Sequence, residues 1–406
     1  MDAAPQMPMT ALGTRGPLVS RIGLGLAALG RPAYITSGRA SDLPDRSVDG
    51  LAARTFEVLD AAYAGGVRYV DAARSYGRAE EFLAGWLADR GHPDVVVGSK
   101  WGYRYTGGWR LDGGVQEVKE HSLAMFTRQL AETRGYLGSR LALYQVHSLT
   151  EDSDVFRDEG LLAALARLRA GGVLVGLSTS GPRQASTLRR ALAVTVGGEP
   201  LFSVAQVTWN LLEPSVQTAA AEAAHAGWAV LIKEAVANGR LAPGGEAAGP
   251  GSPLSAAAAA AGVTPDALAI AAALAQPWAT VVLSGAVSPA QLGANLTALR
   301  LAGPLDSQLT GTMAESAPDY WAERSARPWS CGACRRLRPS RRLRLAVTFA
   351  ARKRRTRRQA WPDVETYPRL PRRQLIQHAA RAAVAAALSS PRWRSGQRSR
   401  ARRTLP

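Results

Sequence analysis

The stretch LLAALARLRAGGVLVGLS (161–178) decides the fold, because it holds a helix, a stop and a strand in direct succession. Its apolar residues recur at helical spacing up to Gly171 and Gly172, where the helix should end. The continuous apolar run that follows, VLVGLS (173–178), is typical of a strand buried on both faces of a parallel sheet. A similar run, LALYQVH (141–147), precedes the helix, so the segment predicts a strand–helix–strand unit.

This unit is repeated along the chain. Eight apolar runs are predicted to be strands: RIGLGL (21–26), VRYVD (67–71), DVVVGS (94–99), LALYQVH (141–147), VLVGLS (173–178), FSVAQV (202–207), WAVLIKE (228–234) and TVVLS (280–284). Helical patterns lie between them, and together they predict an α/β protein with a (β/α)8 TIM barrel. A doubly wound sheet is the alternative, but it requires a Gly-rich phosphate fingerprint after the first strand, and the glycines of GLGLAALG (23–30) have the wrong spacing.

The net charge of +18 is concentrated at one end of the chain. Residues 331–406 contain 22 Lys or Arg and 2 Asp or Glu, whereas residues 1–330 contain 28 and 30. We therefore predict a (β/α)8 barrel over residues 1–329 and an Arg-rich, low-complexity tail over residues 330–406. Three interpretations of the tail are open: a disordered basic extension that binds nucleic acid non-specifically, an extension without a function, or the product of a shifted reading frame.

Signals for export, membrane insertion and metal binding are weak or missing in the sequence. The segment MDAAPQMPMTALGTRG (1–16) has neither the basic nor the apolar region of a secretory signal. The longest apolar window (267–287) is interrupted by Pro277, which favours a helix, a turn and a strand over a membrane span. Cys331 and Cys334 form a single C-x-x-C pair and predict no disulfide framework. We therefore expect a cytoplasmic protein with no membrane partner and no bound metal.

Polar residues lie at the ends of successive predicted strands. Asp71 and Tyr76 follow the second strand, Lys100 follows the third, and His147 ends the fourth. Each residue taken singly has a structural explanation, such as a cap, surface packing or a satisfied core histidine. Chemistry in a (β/α)8 barrel gathers at the C-terminal ends of the strands, so four such residues on successive strands predict one site.

These four residues would together form a proton-donor site. A tyrosine phenol has a pKa near 10, so it is a weak acid at neutral pH, and the ammonium of Lys100 should lower the pKa of Tyr76. Asp71 can pair with Lys100 and hold it in place, and His147 can orient a substrate oxygen by a hydrogen bond. This chemistry suits the protonation of a carbonyl oxygen as a hydride reaches the carbonyl carbon. The sequence contains no G-x-S-x-G nucleophile elbow that would indicate a hydrolase.

Several motifs in order resemble those of the aldo-keto reductases over roughly residues 10–329. They are DAARSYG (71–77), GSKWGY (98–103), LYQVHS (143–148), GLSTSG (176–181), QVTWNLLE (206–213), IKEAVANGRL (232–241) and LSGAVSPAQLGANL (283–296). The resemblance implies that Asp71, Tyr76, Lys100 and His147 form a catalytic tetrad with the tyrosine as general acid. It also implies NADP(H) or NAD(H) as the cofactor and hydride source.

The resemblance assigns further residues to the cofactor, with departures from the family pattern. Ser178 and Gln206 match the positions that hold the nicotinamide carboxamide, whereas Thr179 replaces the usual asparagine. Lys233 stands where an aromatic residue usually stacks on the nicotinamide ring. In the family, the loop after the last strand often carries a basic residue for the 2′-phosphate of NADPH. SGAVSPAQLGANL (284–296) has none, so both NADH and NADPH stay open as the cofactor. The remaining cofactor candidates are Gly25, Gly285, Ser288, Gln291 and Asn295.

The substrate is expected to be a small-molecule carbonyl compound, either an aldehyde, a ketone or a sugar-like carbonyl. Trp101 and Tyr103 follow the predicted catalytic lysine and form either an aromatic pocket wall or packing at the barrel rim. Two other functions stay open. The barrel could bind the cofactor as a sensor or scaffold without turnover, or the basic tail could bind nucleic acid non-specifically.

Overall fold

The computed structural model describes residues 7–35, 39–111, 114–301 and 307–329. The predicted basic tail, with Cys331 and Cys334, lies outside these residues.

Eight parallel strands form a closed barrel. They are β1 (Ile22–Gly25), β2 (Tyr69–Asp71), β3 (Val96–Trp101), β4 (Leu141–Leu149), β5 (Leu174–Thr179), β6 (Val204–Thr208), β7 (Ala229–Lys233) and β8 (Val281–Ser284). Each strand is hydrogen-bonded to the next in chain order, and β8 pairs with β1 to close the ring. The predicted (β/α)8 barrel is confirmed, and the doubly wound sheet is excluded.

Helices alternate with the strands on the outside of the barrel. They are α1 (Val48–Ala64), α2 (Ala79–Arg90), α3 (Leu123–Leu137), α4 (Glu159–Ala170), α5 (Gln184–Leu192), α6 (Gln217–His225), α7 (Pro253–Ala260), α8 (Pro265–Leu274), α9 (Pro289–Leu296) and α10 (Ala317–Ala326). Several begin at a serine whose side chain accepts a backbone N–H of the first turn, as Ser47 does for α1 and Ser288 for α9. Thr264 precedes α8 but makes no such hydrogen bond.

Two barrel strands end two residues later than their sequence pattern predicts. β3 includes Lys100 and Trp101, because the ladder continues through the pairs Lys100–Gln145 and Trp101–Val146. β4 continues past His147 to Leu149. Lys100 and His147 therefore lie within strands rather than at loop positions, which restricts the direction of their side chains.

A hairpin formed by Met9–Ala11 and Leu18–Ser20 closes the N-terminal end of the barrel. Leu12 and Val19 are fully buried and pack with side chains of the barrel interior such as Leu231. A ligand therefore meets the barrel at the opposite, C-terminal end. The shorter elements are the hairpins Tyr103–Tyr105 with Glu117–Lys119 and Thr195–Val196 with Glu199–Pro200, and the short helices Arg39–Asp42 and Ser307–Met313.

Within the described residues, no single helix has the length and apolar content needed to cross a membrane. Among these residues, only α7 and α8 taken together have the length and composition of a membrane-spanning segment, and they meet at a bend of 88°. Over the same residues, no group of three or more His, Cys, Asp or Glu side chains is arranged to hold a metal ion.

Candidate active site

A cavity of about 720 Å3 opens at the C-terminal end of the barrel. Its wall includes Asp71, Tyr76 and His147, which come from the strand ends where the sequence predicts a site. The loops after β1, β7 and β8 and the helix α10 complete the wall. The cavity is within the usual volume range of small-molecule and cofactor sites.

Lys100 is buried below the surface of the cavity, where its Nζ forms an ion pair with the Asp71 carboxylate. The ammonium also donates to the Ala72 carbonyl oxygen at 3.1 Å and to the Tyr76 hydroxyl at 3.3 Å. An ammonium and a carboxylate can be buried together because each compensates the charge of the other. Three of the four predicted site residues are thus in direct contact.

The second carboxylate oxygen of Asp71 is held by two amide groups. Gln206 donates to it from Nε2 at 2.9 Å, and Gln145 donates from Nε2 at 3.3 Å. Charge-assisted hydrogen bonds of this kind fix the orientation of the carboxylate and thereby that of Lys100. Gln206 lines the cavity, but its amide nitrogen is engaged by Asp71 rather than free.

The pKa of Tyr76 differs from the expectation based on the sequence. Burial raises the pKa of Tyr76 well above its usual value, the charge of Asp71 raises it further, and Arg31 opposes both. The expected lowering of this pKa by Lys100 is not met, because burial of the phenol and the negative charge of Asp71 together dominate. Tyr76 therefore keeps its proton at neutral pH and has one available to donate.

His147 faces the Tyr76 ring edge-on, with 5.5 Å between the ring centroids and an interplanar angle of 83°. Its Nδ1 lies 3.3 Å from the hydroxyl oxygen of Ser75, which leaves Nε2 as the other polar atom of the ring. Burial lowers the pKa of His147 well below its usual value, and the positive charges of Lys100 and Arg31 lower it further. The imidazole is therefore neutral at neutral pH, able to donate one hydrogen bond and accept another.

Arg31, in the loop after β1, is a site residue that the sequence analysis missed. Its guanidinium carbon lies 5.2 Å from the centroid of the Tyr76 ring and 4.7 Å from that of Trp329. Its Nη1 pairs with Glu117 at 2.6 Å and donates to the Ser75 carbonyl oxygen at 3.0 Å. Only the tertiary structure joins these residues, and no local pattern around Arg31 indicates them.

Most of the sequence-predicted residues border the cavity. Those that line it are Gly25, Asp71, Tyr76, Tyr103, His147, Gln206, Lys233, Gly285, Gln291 and Asn295. Lys100 contacts Tyr76 from below, as described above. The arrangement supports the predicted grouping of polar residues at the C-terminal ends of the strands.

Trp101 lies away from the cavity. Successive side chains of a strand point to opposite faces, so Trp101 points outward from the barrel where Lys100 points inward. The indole is fully buried and packs edge-on against Phe126 of α3, with 5.1 Å between the ring centroids. Trp101 therefore packs between β3 and α3 and is not among the residues that line the cavity.

Three predicted cofactor residues are engaged elsewhere. Ser178 accepts the backbone N–H of Ser148 at 2.8 Å, and Thr179 donates to Oε1 of Gln184 at 3.1 Å. Ser288 caps α9 by accepting the backbone N–H of Gln291 at 3.2 Å. Ser178, Thr179 and Ser288 are not among the residues that line the cavity. A ligand would have to displace existing hydrogen bonds to use their hydroxyl groups.

Lys233 lines the cavity at the end of β7, where the resemblance implied an aromatic residue. Its Nζ donates to the Thr208 hydroxyl oxygen at 2.5 Å and lies 3.7 Å from a Glu234 oxygen. Burial lowers the pKa of Lys233 to about 8, although the charge of Glu234 acts in the opposite direction. Trp209 does not replace the aromatic residue, because it is fully buried and packs against Trp278 instead.

Glu234 connects the loop after β7 to α10. It has a positive φ of 58°, and both of its carboxylate oxygens accept from Nε of Arg324, at 3.0 and 2.9 Å. Burial raises the pKa of Glu234, but the charges of Arg324 and Lys233 more than offset this and lower it to about 2. The pair therefore holds α10 against the cavity through a buried ion pair.

This ion pair predicts a pH-dependent contribution to stability. Because the folded-state pKa of Glu234 lies below its ordinary value of 4.5, the carboxylate stabilises the fold above that pH. The contribution, about 3 kcal/mol in full, is lost as the pH falls from 4.5 towards 2. Urea unfolding at a series of pH values should show a smaller acid-side slope in Glu234→Gln than in the wild type. The exposed Glu159→Gln should keep the wild-type slope, and an unchanged slope in Glu234→Gln would contradict the assignment.

Comparisons with known proteins agree with this geometry. The sequence model of the aldo/keto reductase family matches residues 21–316. Among solved structures, a putative aldo-keto reductase from Pseudomonas aeruginosa is 24% identical, with a TM-score of 0.51, covering 72% of this chain and 94% of that chain. An aldo-keto reductase from Bacillus halodurans in its holo form is 20% identical, with a TM-score of 0.56, covering 77% and 98%. At these identities the solved structures show a shared fold. No match was found among curated proteins.

Proposed function

The chain belongs to the aldo/keto reductase family, a family of oxidoreductases, and we propose that it reduces an aldehyde or ketone with NADH or NADPH as the hydride source. The reverse reaction, oxidation of an alcohol or sugar hydroxyl, uses the same groups. The observation that carries the proposal is the contact of the Tyr76 hydroxyl with the buried Lys100 ammonium, 3.3 Å apart beside His147. A protonated phenol next to a cation in a largely buried setting suits proton donation to an oxygen that gains negative charge.

The cavity fits a nicotinamide dinucleotide in size and in lining. The residues that line the cavity include Tyr76, Gln206, Lys233, Gln291 and Asn295, so cationic and amide groups face a bound ligand. These last four residues would hold the cofactor by hydrogen bonds. When bound, the cofactor supplies the hydride that reaches the carbonyl carbon.

The protein's own contribution is to position and protonate the carbonyl oxygen. The neutral imidazole of His147 donates a hydrogen bond to that oxygen from Nε2 and directs it towards the Tyr76 hydroxyl. Tyr76 then transfers its phenolic proton to the oxygen. The Lys100 ammonium stabilises the phenolate that remains, and Asp71 keeps the lysine charged and in place. Burial, which raises the pKa of free Tyr76, also strengthens this interaction when the phenolate forms.

The direct test is transfer of label from cofactor to product. The full-length protein is incubated with NADH or NADPH deuterated at nicotinamide C4 and a panel of aromatic and sugar-derived aldehydes and ketones. The expected result is loss of the reduced-nicotinamide absorbance together with one deuterium at the carbinol carbon of the product. Cofactor binding without turnover on any carbonyl would instead support a sensor or scaffold. Failure of a folded protein to bind either cofactor would remove the proposal.

The pKa of His147 predicts the pH dependence of this reaction. Because that pKa is lowered well below its ordinary value of 6.5, the imidazole stays neutral as the pH falls through 6.5. The kcat/KM for carbonyl reduction should therefore show no acid-side loss centred near that pH. A steady-state pH profile, with the protein's melting temperature followed in parallel, checks this prediction. A break near 6.5 that disappears in His147→Gln would contradict it.

A further inference from the structure

We propose that Asp266 accepts a hydrogen bond from the 2′-hydroxyl of the adenosine ribose and thereby selects NAD(H) over NADP(H). This assignment rests on the proposed function, because it concerns the cofactor of the same site. Asp266 was not among the residues that the sequence indicated for the cofactor.

Asp266 is a buried carboxylate with one satisfied oxygen. It is the second residue of α8, is 7% exposed, and lines the cavity together with Thr264 and Asn295. Its Oδ2 accepts from Nδ2 of Asn295 at 2.6 Å, and Oδ1 of Asn295 accepts from the Ser284 hydroxyl at 2.7 Å. Its Oδ1 is buried and has no hydrogen-bond partner among the described residues.

A buried carboxylate oxygen without a hydrogen-bond donor destabilises the fold, because it has lost its bonds to water and gained none in return. The position in the first turn of α8 favours a negative charge through the helix dipole, but it does not supply Oδ1 with a hydrogen bond. The amide nitrogen of Asn295 donates to Oδ2, and no donor among the described residues bonds to Oδ1. A donor on a ligand in the cavity would satisfy Oδ1.

The distribution of charge on this side of the cavity excludes a phosphate. The described residues that line the cavity from the loop directly after β8 and from α9 include no Lys or Arg: they are Gly285, Ala286, Val287, Ala290, Gln291, Ala294 and Asn295. The cations that line the cavity elsewhere are each paired with a carboxylate, as Arg324 is with Glu234. A dianionic 2′-phosphate would therefore meet the carboxylate of Asp266 without a compensating cation. A hydroxyl in the same place donates to that carboxylate instead.

The adenosine belongs at this side of the cavity because the nicotinamide has to lie beside Tyr76. Tyr76 follows β2, and the wall of the cavity continues from there past the ends of β7 and β8. Asp266, Gln291 and Asn295 line the same cavity from α8 and α9. A dinucleotide with its nicotinamide at Tyr76 therefore places its adenosine ribose near Asp266.

The test measures cofactor affinity rather than activity. Dissociation constants of the full-length protein for NADH, NADPH and 2′-deoxy-NADH are determined by tryptophan fluorescence quenching and by calorimetry. The wild type should bind NADH about tenfold or more tightly than either analogue, as expected for loss of one hydrogen bond to a charged acceptor. In Asp266→Asn, the ratio of the dissociation constant of each analogue to that of NADH should fall by about tenfold. Asp319→Asn is the matched control, because it removes an exposed first-turn aspartate of α10 outside the cavity and should keep the wild-type ratios.

Each outcome decides the assignment. Equal affinity of the wild type for NADH and 2′-deoxy-NADH, or a preference for NADPH, would overturn the role of Asp266 while leaving the reductase proposal in place. Failure of the folded wild type to bind any of the three would overturn both. The adenine amine is the other donor that could reach Asp266, and deamino-NADH, which lacks it, should bind like NADH. If instead deamino-NADH binds more weakly than NADH and 2′-deoxy-NADH binds equally well, Asp266 accepts from the adenine amine, and the 2′-hydroxyl assignment is overturned.

Discussion

Replacement of Tyr76 by phenylalanine is expected to lower kcat for carbonyl reduction by about 10²- to 10⁴-fold. The phenol is the group in the cavity that lies 3.3 Å from the Lys100 ammonium and is placed to give a proton to a substrate oxygen. The aromatic ring stays, so its edge-on contact with His147 and its packing near Arg31 should be kept. Single-turnover and steady-state rates measure the loss, and fluorescence titration should give an unchanged dissociation constant for the cofactor.

A second tyrosine provides the matched control. Tyr63 donates to a carboxylate oxygen of Asp94 at 3.1 Å, outside the cavity, so Tyr63→Phe also removes a hydrogen-bonded tyrosine hydroxyl. Its kcat should equal that of the wild type. Comparable activity of Tyr76→Phe and the wild type would show that another group, or water, donates the proton.

Replacement of Asp71 by asparagine is expected to destabilise the fold by about 3–5 kcal/mol and to abolish most of the activity. The change preserves the shape of the side chain but leaves the Lys100 ammonium buried without its carboxylate. It also removes the negative acceptor to which Gln206 and Gln145 donate. Urea unfolding measures the stability. The activity is measured as kcat of the folded protein in the absence of denaturant.

The double variant separates the two effects. In Asp71→Asn with Lys100→Met no unpaired charge remains buried, so part of the lost stability should return while the activity does not. Asp94→Asn breaks the more exposed pair with Arg68 and should cost no more than about 1 kcal/mol. A single Asp71→Asn variant as stable as the wild type would show that Lys100 is not held in charged form by Asp71.

The positions of the strands could be predicted because the signal for them is local. A strand buried on both faces shows itself as a short, unbroken apolar run, and VLVGLS (173–178) contains all of β5 except its last residue, Thr179. The predicted ends of the strands were less accurate. At β3 the hydrogen-bonded pairing with β4 continues to Trp101, although the apolar run stops before the polar Lys100. Pairing with a neighbouring strand, which no local pattern records, sets where a strand ends.

Two residues considered for the candidate site, Trp101 and Thr179, lie outside the cavity for the same physical reason. Lys100 and Trp101 are adjacent in β3, as Ser178 and Thr179 are in β5, so the two side chains of each pair point to opposite faces. Trp101 consequently packs on α3, and Thr179 bonds to Gln184 of α5. Alternation along the strand was a signal available in the sequence that could have excluded both residues from the cavity.

The sequence by itself determined the barrel, the order of its strands and the presence of Asp71, Tyr76, Lys100 and His147 at one end of it. These follow from local apolar patterns and from the rule that parallel strands in a barrel end on the same side. Only the tertiary structure decided the electrostatics of the site: that Asp71 balances Lys100 and that burial raises the pKa of Tyr76.

The same holds for the walls of the cavity. Arg31 meets Glu117 across 86 positions, and Glu234 meets Arg324 across 90. The unpartnered oxygen of Asp266 is recognisable only once its surroundings are known. The physical reason is that burial and charge pairing depend on which distant segments pack together, and a sequence pattern records only what is near along the chain.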